Sequence, residues 1–196
     1  SIVGTSSIRR RAQVLHLRKD LSIKLLRGNV DTRIEKLKQD EYDAIILSLA
    51  GLKRLGMENL VSEVLGKENF LPAANQGVVG VQARKSSPLI KLFKNINHDQ
   101  TQIECLTERK VLQIINANCN SPVSVFANLS QQQIELECEI FDHNGDKIYK
   151  NRMYGHRDRN IELGYEMGCD ILNKLGQQKI TQLDYLKNDF DYTAEI

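Results

Sequence analysis

Apolar positions in the first sixty residues fall into short runs separated by helical spacings. Residues 1–3 read as the end of a buried strand, and 7–18 as a helix with Ile8, Ala12, Leu15 and Leu17 on its apolar stripe. A second strand is expected at 23–26, closing on Arg27-Gly28-Asn29. Asn29 suits the cap of a second helix through Ile34 and Leu37 to about Gln39, with Asp31 in its first turn. Residues 43–48 are continuously apolar after Asp43, as a buried parallel strand should be, and 49–55 form a helix ended by Gly56. Strand and helix alternate three times, which predicts a parallel α/β sheet with right-handed crossovers. Ligands of such sheets bind where strands give way to helices. Three such loops, 4–7, 27–29 and 48–51, are placed to face one cleft.

The pattern changes after residue 70. Residues 71–77 form a loop without periodicity, followed by an apolar run at 78–83 expected to be a strand. A helix is expected over 88–97 and a long one over 99–115, stopped by the Asn-rich stretch 116–122. From Val123 the period becomes two. Strands are expected over 123–127, 134–140 and 147–154, with an Asn144-Gly145 hairpin turn before the last. A final helix covers 159–175, and 177–196 read as a polar tail, mobile in part. This half is α+β, with a three-stranded antiparallel sheet packed by helices.

Charge sharpens the first half. The chain of 196 residues has a formal net charge of only +2, which argues against a general nucleic-acid binder. Residues 1–40 nevertheless hold ten Lys/Arg against four Asp/Glu, an excess of six, so the remainder is slightly acidic. The first turn of the helix after Ser7 carries Arg9, Arg10 and Arg11, where the macrodipole favours acidic residues. Arg27 and Arg33 flank the next loop-to-helix junction. Backbone amides, serine hydroxyls and guanidinium groups converging on one spot point to a polyanionic ligand.

Four cysteines, Cys105, Cys119, Cys138 and Cys169, lie far apart without metal-ligand spacing. Cys119 differs in sitting in a polar loop, whereas the others fall in apolar-patterned elements. The histidines are scattered, and no phosphate-binding loop or dinucleotide fingerprint is present. No apolar run is long enough to span a membrane. Two other readings stay open on the residues alone: a sensor module for a small anion, and a nucleic-acid binder using 8–11 in a recognition helix.

Several separated blocks carry a resemblance. They are Val3-Gly4-Thr5-Ser6-Ser7-Ile8-Arg9-Arg10, Arg27-Gly28-Asn29-Val30-Asp31-Thr32-Arg33, Tyr42-Asp43-Ala44-Ile45-Ile46-Leu47, Ala50-Gly51-Leu52-Lys53-Arg54-Leu55-Gly56, Leu71-Pro72-Ala73 with Gln76-Gly77, Thr107-Glu108-Arg109, and Cys119 followed by Pro122-Val123. In this order and spacing the sequence resembles the porphobilinogen deaminases, also called hydroxymethylbilane synthases. The resemblance implies a cytoplasmic transferase of haem biosynthesis, monomeric at full length and acting without nucleic acid or membrane. It joins four porphobilinogen molecules head to tail into hydroxymethylbilane, releasing ammonia, on a covalent dipyrromethane cofactor.

By position, the resemblance assigns Cys119 to the cofactor thioether. Thr5, Ser7, Arg9, Arg10 and Arg33 would hold the cofactor, and Arg27, Ser48 and Gln76 would meet substrate. No metal is implied. Residues 1–77 would be most of a second domain, a periplasmic-binding-protein-like α/β unit. Residues 78–98 would return to a first domain, and 99–196 would be the α+β third domain, its tail from about 177 partly mobile. The start at Ser1, directly in a strand, suggests a fragment lacking the N-terminal domain, with its catalytic aspartate, and therefore inactive alone. Ala117, Asn118 and Asn75 stand where the family usually has glycine.

Overall fold

The structure is a computed structural model and describes residues 1–183. Its first half holds a parallel sheet of three short strands, β1 (Ile2–Gly4), β2 (Ser22–Lys24) and β3 (Ala44–Ile45), in the order β2-β1-β3. Val3 pairs with both Ile23 and Ala44. The crossovers are α1 (Ile8–Leu17) and α2 (Val30–Lys38), and α3 (Leu49–Arg54) follows β3. The expected long buried strand over 43–48 is shorter and more open. β3 is an edge strand, with Ala44 exposed and Ile45 half-buried, so its chain leaves the ladder after two residues.

The second half is larger in every element. Helix α5 (Asp99–Ile115) matches its sequence expectation. His98 caps its start, and Asn116 stops it in the left-handed conformation (φ 53°), sending its own N–H back to the last turn. Strands β4 (Val123–Ser130), β5 (Gln133–Phe141) and β6 (Lys147–His156) form an antiparallel sheet in sequence order. Helix α6 (Asn160–Leu175) packs beside α5.

The period of two explains the packing. Val123, Val125, Ala127 and Leu129 share the inner face with Ile134, Leu136, Cys138 and Ile140 of β5. Val111 and Ile115 of α5 and Leu163, Met167 and Ile171 of α6 close that core. The other face carries a charge ladder in which Glu135, Glu137 and Glu139 meet Lys147, Lys150 and Arg152 across the strands.

Two expectations fail in the connecting segments. Residues 78–83 form no strand; Val79 and Val81 are 71% and 58% exposed, and no neighbouring strand among the described residues offers them a ladder. Their segment continues into α4 (Ile90–Lys94), shorter than the helix expected over 88–97. The first part of the expected polar tail is helical. Residues 177–183 form helix α7 (Gln177–Leu183), whose Ile180 and Leu183 complete the core at helical spacing. The rest of that tail, 184–196, lies outside the described residues.

The two halves touch along α1. Its residues Arg11 and His16 bond the His143 and Gly145 carbonyls of the β5–β6 turn, and Lys19 pairs with Asp146. Gly145 has φ +80°, and a Cβ there would lie 2.8 Å from the Ala12 carbonyl oxygen. Only glycine lets the turn come this close.

Candidate functional site

The loop before α1 is built by its own side chains. Thr5 is buried, and its Oγ1 accepts the Ser7 N–H at 3.2 Å. Ser7 is the N-cap, and its Oγ accepts the Arg10 N–H at 3.3 Å. No acidic residue occupies the first turn. Thr5 and Ser7 therefore spend their hydroxyls on shaping the loop.

Arg9 and Arg10 point apart, as neighbours on a helix must. Arg9 turns inward and is 6% exposed; its Nη1 donates to the Leu71 carbonyl at 2.9 Å. Gln13, one turn on, donates to the same carbonyl at 3.1 Å. Burial, and then the charge of Arg10, lower the Arg9 pKa to about 10, so it stays charged at neutral pH. Arg10 is half-buried, and its Nη1 donates to the Ile46 carbonyl at 2.7 Å. Burial and the facing Arg33 both lower its pKa. Arg33 in turn bonds the Gly28 carbonyl through Nε at 2.8 Å. Gly28 has φ +115°, and a Cβ there would strike Thr32, so the turn that presents this carbonyl requires glycine.

Arg10, Gly28, Asn29, Arg33, Leu47 and Ser48 line an open cleft of about 540 Å³. Among the described residues, no salt bridge involves Arg9, Arg10 or Arg33. Asp31 is the one carboxylate in the cleft wall among the described residues. Asn29 caps α2 without a side-chain bond, so it takes none of that helix's first-turn amides. Two like charges held by carbonyl oxygens beside a helix start make an arrangement chemically suited to an anion.

The structure brings some expected site residues together and leaves others apart. Arg10, Arg33 and Ser48 line the cleft, and Gln76 joins them at its rim by donating from Nε2 to Ser48 Oγ at 3.0 Å. Arg9, Thr5 and Ser7 stand behind the wall. Arg27 is exposed on the adjoining turn and is not among the lining residues. Cys119 is a free, exposed thiol outside that lining, whereas Cys138 is buried and Cys105 and Cys169 are partly so. Its turn is closed by Asn118, whose N–H donates to Ser121 Oγ at 3.0 Å. Ala117 and Asn118 keep ordinary backbone angles, while Asn116 and Asn75 take the left-handed conformation, at φ 53° and 59°. Asparagine tolerates that region well.

Three participants escape a reading of the sequence. They are Gln13, the Leu71 carbonyl, and Glu108, which bonds the loop carrying Gln76. For Gln13 a signal exists, since it lies four residues after Arg9 and shares its face.

Residues 1–91 match the family model described as "Porphobilinogen deaminase, dipyromethane cofactor binding domain". Residues 102–173 match the model of its C-terminal domain. A porphobilinogen deaminase of Halalkalibacterium halodurans is 37% identical over 186 residues, 93% of this chain and 59% of the relative. One from Bacillus velezensis is 40% identical over 163 residues, 82% of the chain and 52% of the relative. One from Buchnera aphidicola is 36% identical over 191 residues, 97% and 60% respectively. The chain thus spans 52–60% of the length of these relatives.

Proposed function

Because the chain belongs to the porphobilinogen deaminase family, we propose that it holds the polycarboxylate side of an enzyme of tetrapyrrole biosynthesis. The reaction is the stepwise condensation of four porphobilinogen molecules into hydroxymethylbilane with release of ammonia. The observation that carries this reading is the Arg10–Arg33 pair over the cleft, bonded to carbonyls and to no carboxylate among the described residues.

The donor set suits a dipyrromethane. Its acetate and propionate groups are planar anions, and guanidinium groups bind these with two parallel hydrogen bonds. Arg10 and Arg33 take carboxylates directly, and the amides at the start of α2 add partial positive charge. Arg9 raises the local potential from behind while holding the Leu71 carbonyl. Ser48 and Gln76 border the substrate side, and Arg27 meets incoming porphobilinogen from its exposed turn. Thr5 and Ser7 fix the loop that aims Arg10. Cys119 offers its exposed sulfur for the thioether.

When bound, the dipyrromethane supplies the pyrrole carbon to which further units are added. The described residues contribute binding and orientation. Residues 1–77 serve as a periplasmic-binding-protein-like unit, 78–98 as a connecting segment and 99–196 as the unit presenting Cys119, in a cytoplasmic monomer. These 196 residues bind porphobilinogen without turning it over, since by resemblance the proton-transferring aspartate of the family belongs to a first domain that they do not cover; release of hydroxymethylbilane by the chain alone would contradict this.

Intact mass spectrometry of the full-length protein purified from cells tests the assignment. The expected result is an added mass of two pyrrole units that disappears in Cys119→Ser. An unmodified protein that binds no porphobilinogen, in wild type and in Arg10→Ala alike, would overturn it.

A further inference from the structure

The loop 71–77 has no charged residue of its own, yet it delivers Gln76 to the cleft rim. It is held from both halves of the molecule. On one side Arg9 and Gln13 grip the Leu71 carbonyl. On the other stands Glu108 of α5, 5% exposed. Its Oε2 accepts the Asn75 N–H at 2.6 Å, and its Oε1 accepts the Ala127 N–H of β4 at 2.8 Å. The left-handed Asn75 and Gly77 (φ 59° and 82°) bracket Gln76, so the Asn75 tie bears directly on where Gln76 points.

We propose that Glu108 is a positioning residue of the cleft: its ionised carboxylate ties the 71–77 loop to strand β4 and thereby sets Gln76 against Ser48. Both carboxylate oxygens are already used as acceptors from backbone amides. A protonated or amidated side chain keeps one acceptor and turns a hydrogen toward the other amide, so one half of the tie is lost.

The surroundings make this sensitive to pH. Beside Glu108 lies a cavity of about 330 Å³ whose titratable lining is Glu104, Cys105 and Glu108 itself. Glu104, one turn earlier, is held by the Leu129 N–H and Gln100. The facing β4 residues Phe126 and Ala127 and the whole of 71–77 carry no titratable group. Lys67 stands 5.0 Å from the Phe126 ring centre, Lys110 lies over Tyr165 of α6, and Arg109 acts on Cys105. Burial, helped by the like charge of Glu104 and opposed by the two amides, raises the Glu108 pKa to about 7. The tie is therefore complete above that value and half-made below it.

This inference rests on the anion-cleft reading only for its ligand arm. The test uses the full chain, with Glu108→Gln and Glu108→Asp, followed by amide hydrogen exchange across a pH series. In wild type, protection of Asn75 and Ala127 against local openings that leave Glu108 buried, corrected for intrinsic rates, should fall about tenfold as pH drops through the Glu108 pKa. In Glu108→Gln it should be low and independent of pH; Glu108→Asp should restore part of both. Core amides of β5 report that each variant is folded, and a Glu108→Gln that fails to fold leaves the wild-type series as the test. Wild-type protection in Glu108→Gln, or a wild-type series without the pH step, would overturn the tie. The second arm measures porphobilinogen affinity, expected to weaken several-fold in Glu108→Gln. Equal affinity in both, despite lost protection, would overturn the positioning role. Wild type that binds no porphobilinogen while the exchange step holds would sink the anion reading and leave the tie standing.

Discussion

The two sheets of this chain solve opposite problems. The antiparallel sheet has strands of eight to ten residues and a continuous apolar core shared with α5, α6 and α7. The parallel sheet has strands of three, three and two residues, and helix α2 beside it has no buried residue at all. The first places its charges in cross-strand pairs. The second gathers guanidinium groups at helix starts and bonds them to carbonyls. One half is closed by a continuous core and the other leaves two arginines over an open cleft. A ligand bound there would add its binding energy to the stability of that half.

The largest test of this contrast is a core truncation. Ile171→Ala removes a side chain with no exposure from the centre of the antiparallel core. It should cost about 2–5 kcal/mol. Ile34→Ala, in the half-buried face of α2, should cost about 1 kcal/mol or less. Urea unfolding monitored in both variants checks the pair. Equal losses would mean that α2 is as tightly packed as α6.

The same contrast explains what is legible in the sequence. The period-two strands and the long α5 are readable because strong periodicity sets their register and their burial together. Residues 78–83 mislead because an apolar run without a partner looks like a strand with one. Residues 177–183 mislead because two apolar positions three apart, Ile180 and Leu183, are a faint signal until the core they fill is known. At the site, the cluster of arginines and the facing loops 27–29 and 48–51 are visible, whereas loop 4–7 lines no part of the cleft. The division of labour between Arg9 and Arg10 is not, since it depends on which side of α1 meets Leu71. Glu108 stands in one of the resembling blocks, but its role cannot be read there, because its partners are backbone amides.

A smaller effect sharpens the seam between the halves. The Glu108 pKa rises from 4.5 to about 7 on folding. A group raised in this way contributes stability that is complete below its unfolded value and lost as pH climbs through its folded value. With each pH unit between those two values worth about 1.4 kcal/mol, the loss approaches roughly 3–4 kcal/mol as an upper bound. The form that makes both bonds is thus the form that costs the fold most. Denaturant melts across this range should show wild type losing stability toward higher pH relative to Glu108→Gln, which has no such titration. Parallel curves for the two proteins would show that Glu108 titrates alike in both states.

The finest test compares two helical glycines, one in each half. Gly168 lies where α6 crosses α5, and a Cβ there would sit 2.6 Å from Ile114 Cβ. That contact is with a branched atom fixed to its own helix, so it cannot swing away; the helices must separate. Gly168→Ala should cost about 1–3 kcal/mol, as overpacking does. Gly51 lies inside α3, where an added Cβ would find only Ser48 Cβ, at 4.0 Å. Alanine there gains helix propensity without a clash, and should stabilise by about 0.5–1 kcal/mol. The signs are opposite because α6 buries its glycines in a helix crossing, while α3 leaves Gly51 open beside the Ser48 that borders the cleft. Thermal melts of both variants decide it. A destabilising Gly51→Ala would show that the cleft side of α3 is as closely packed as the crossing of α5 and α6, and the contrast between the halves would fail at that point.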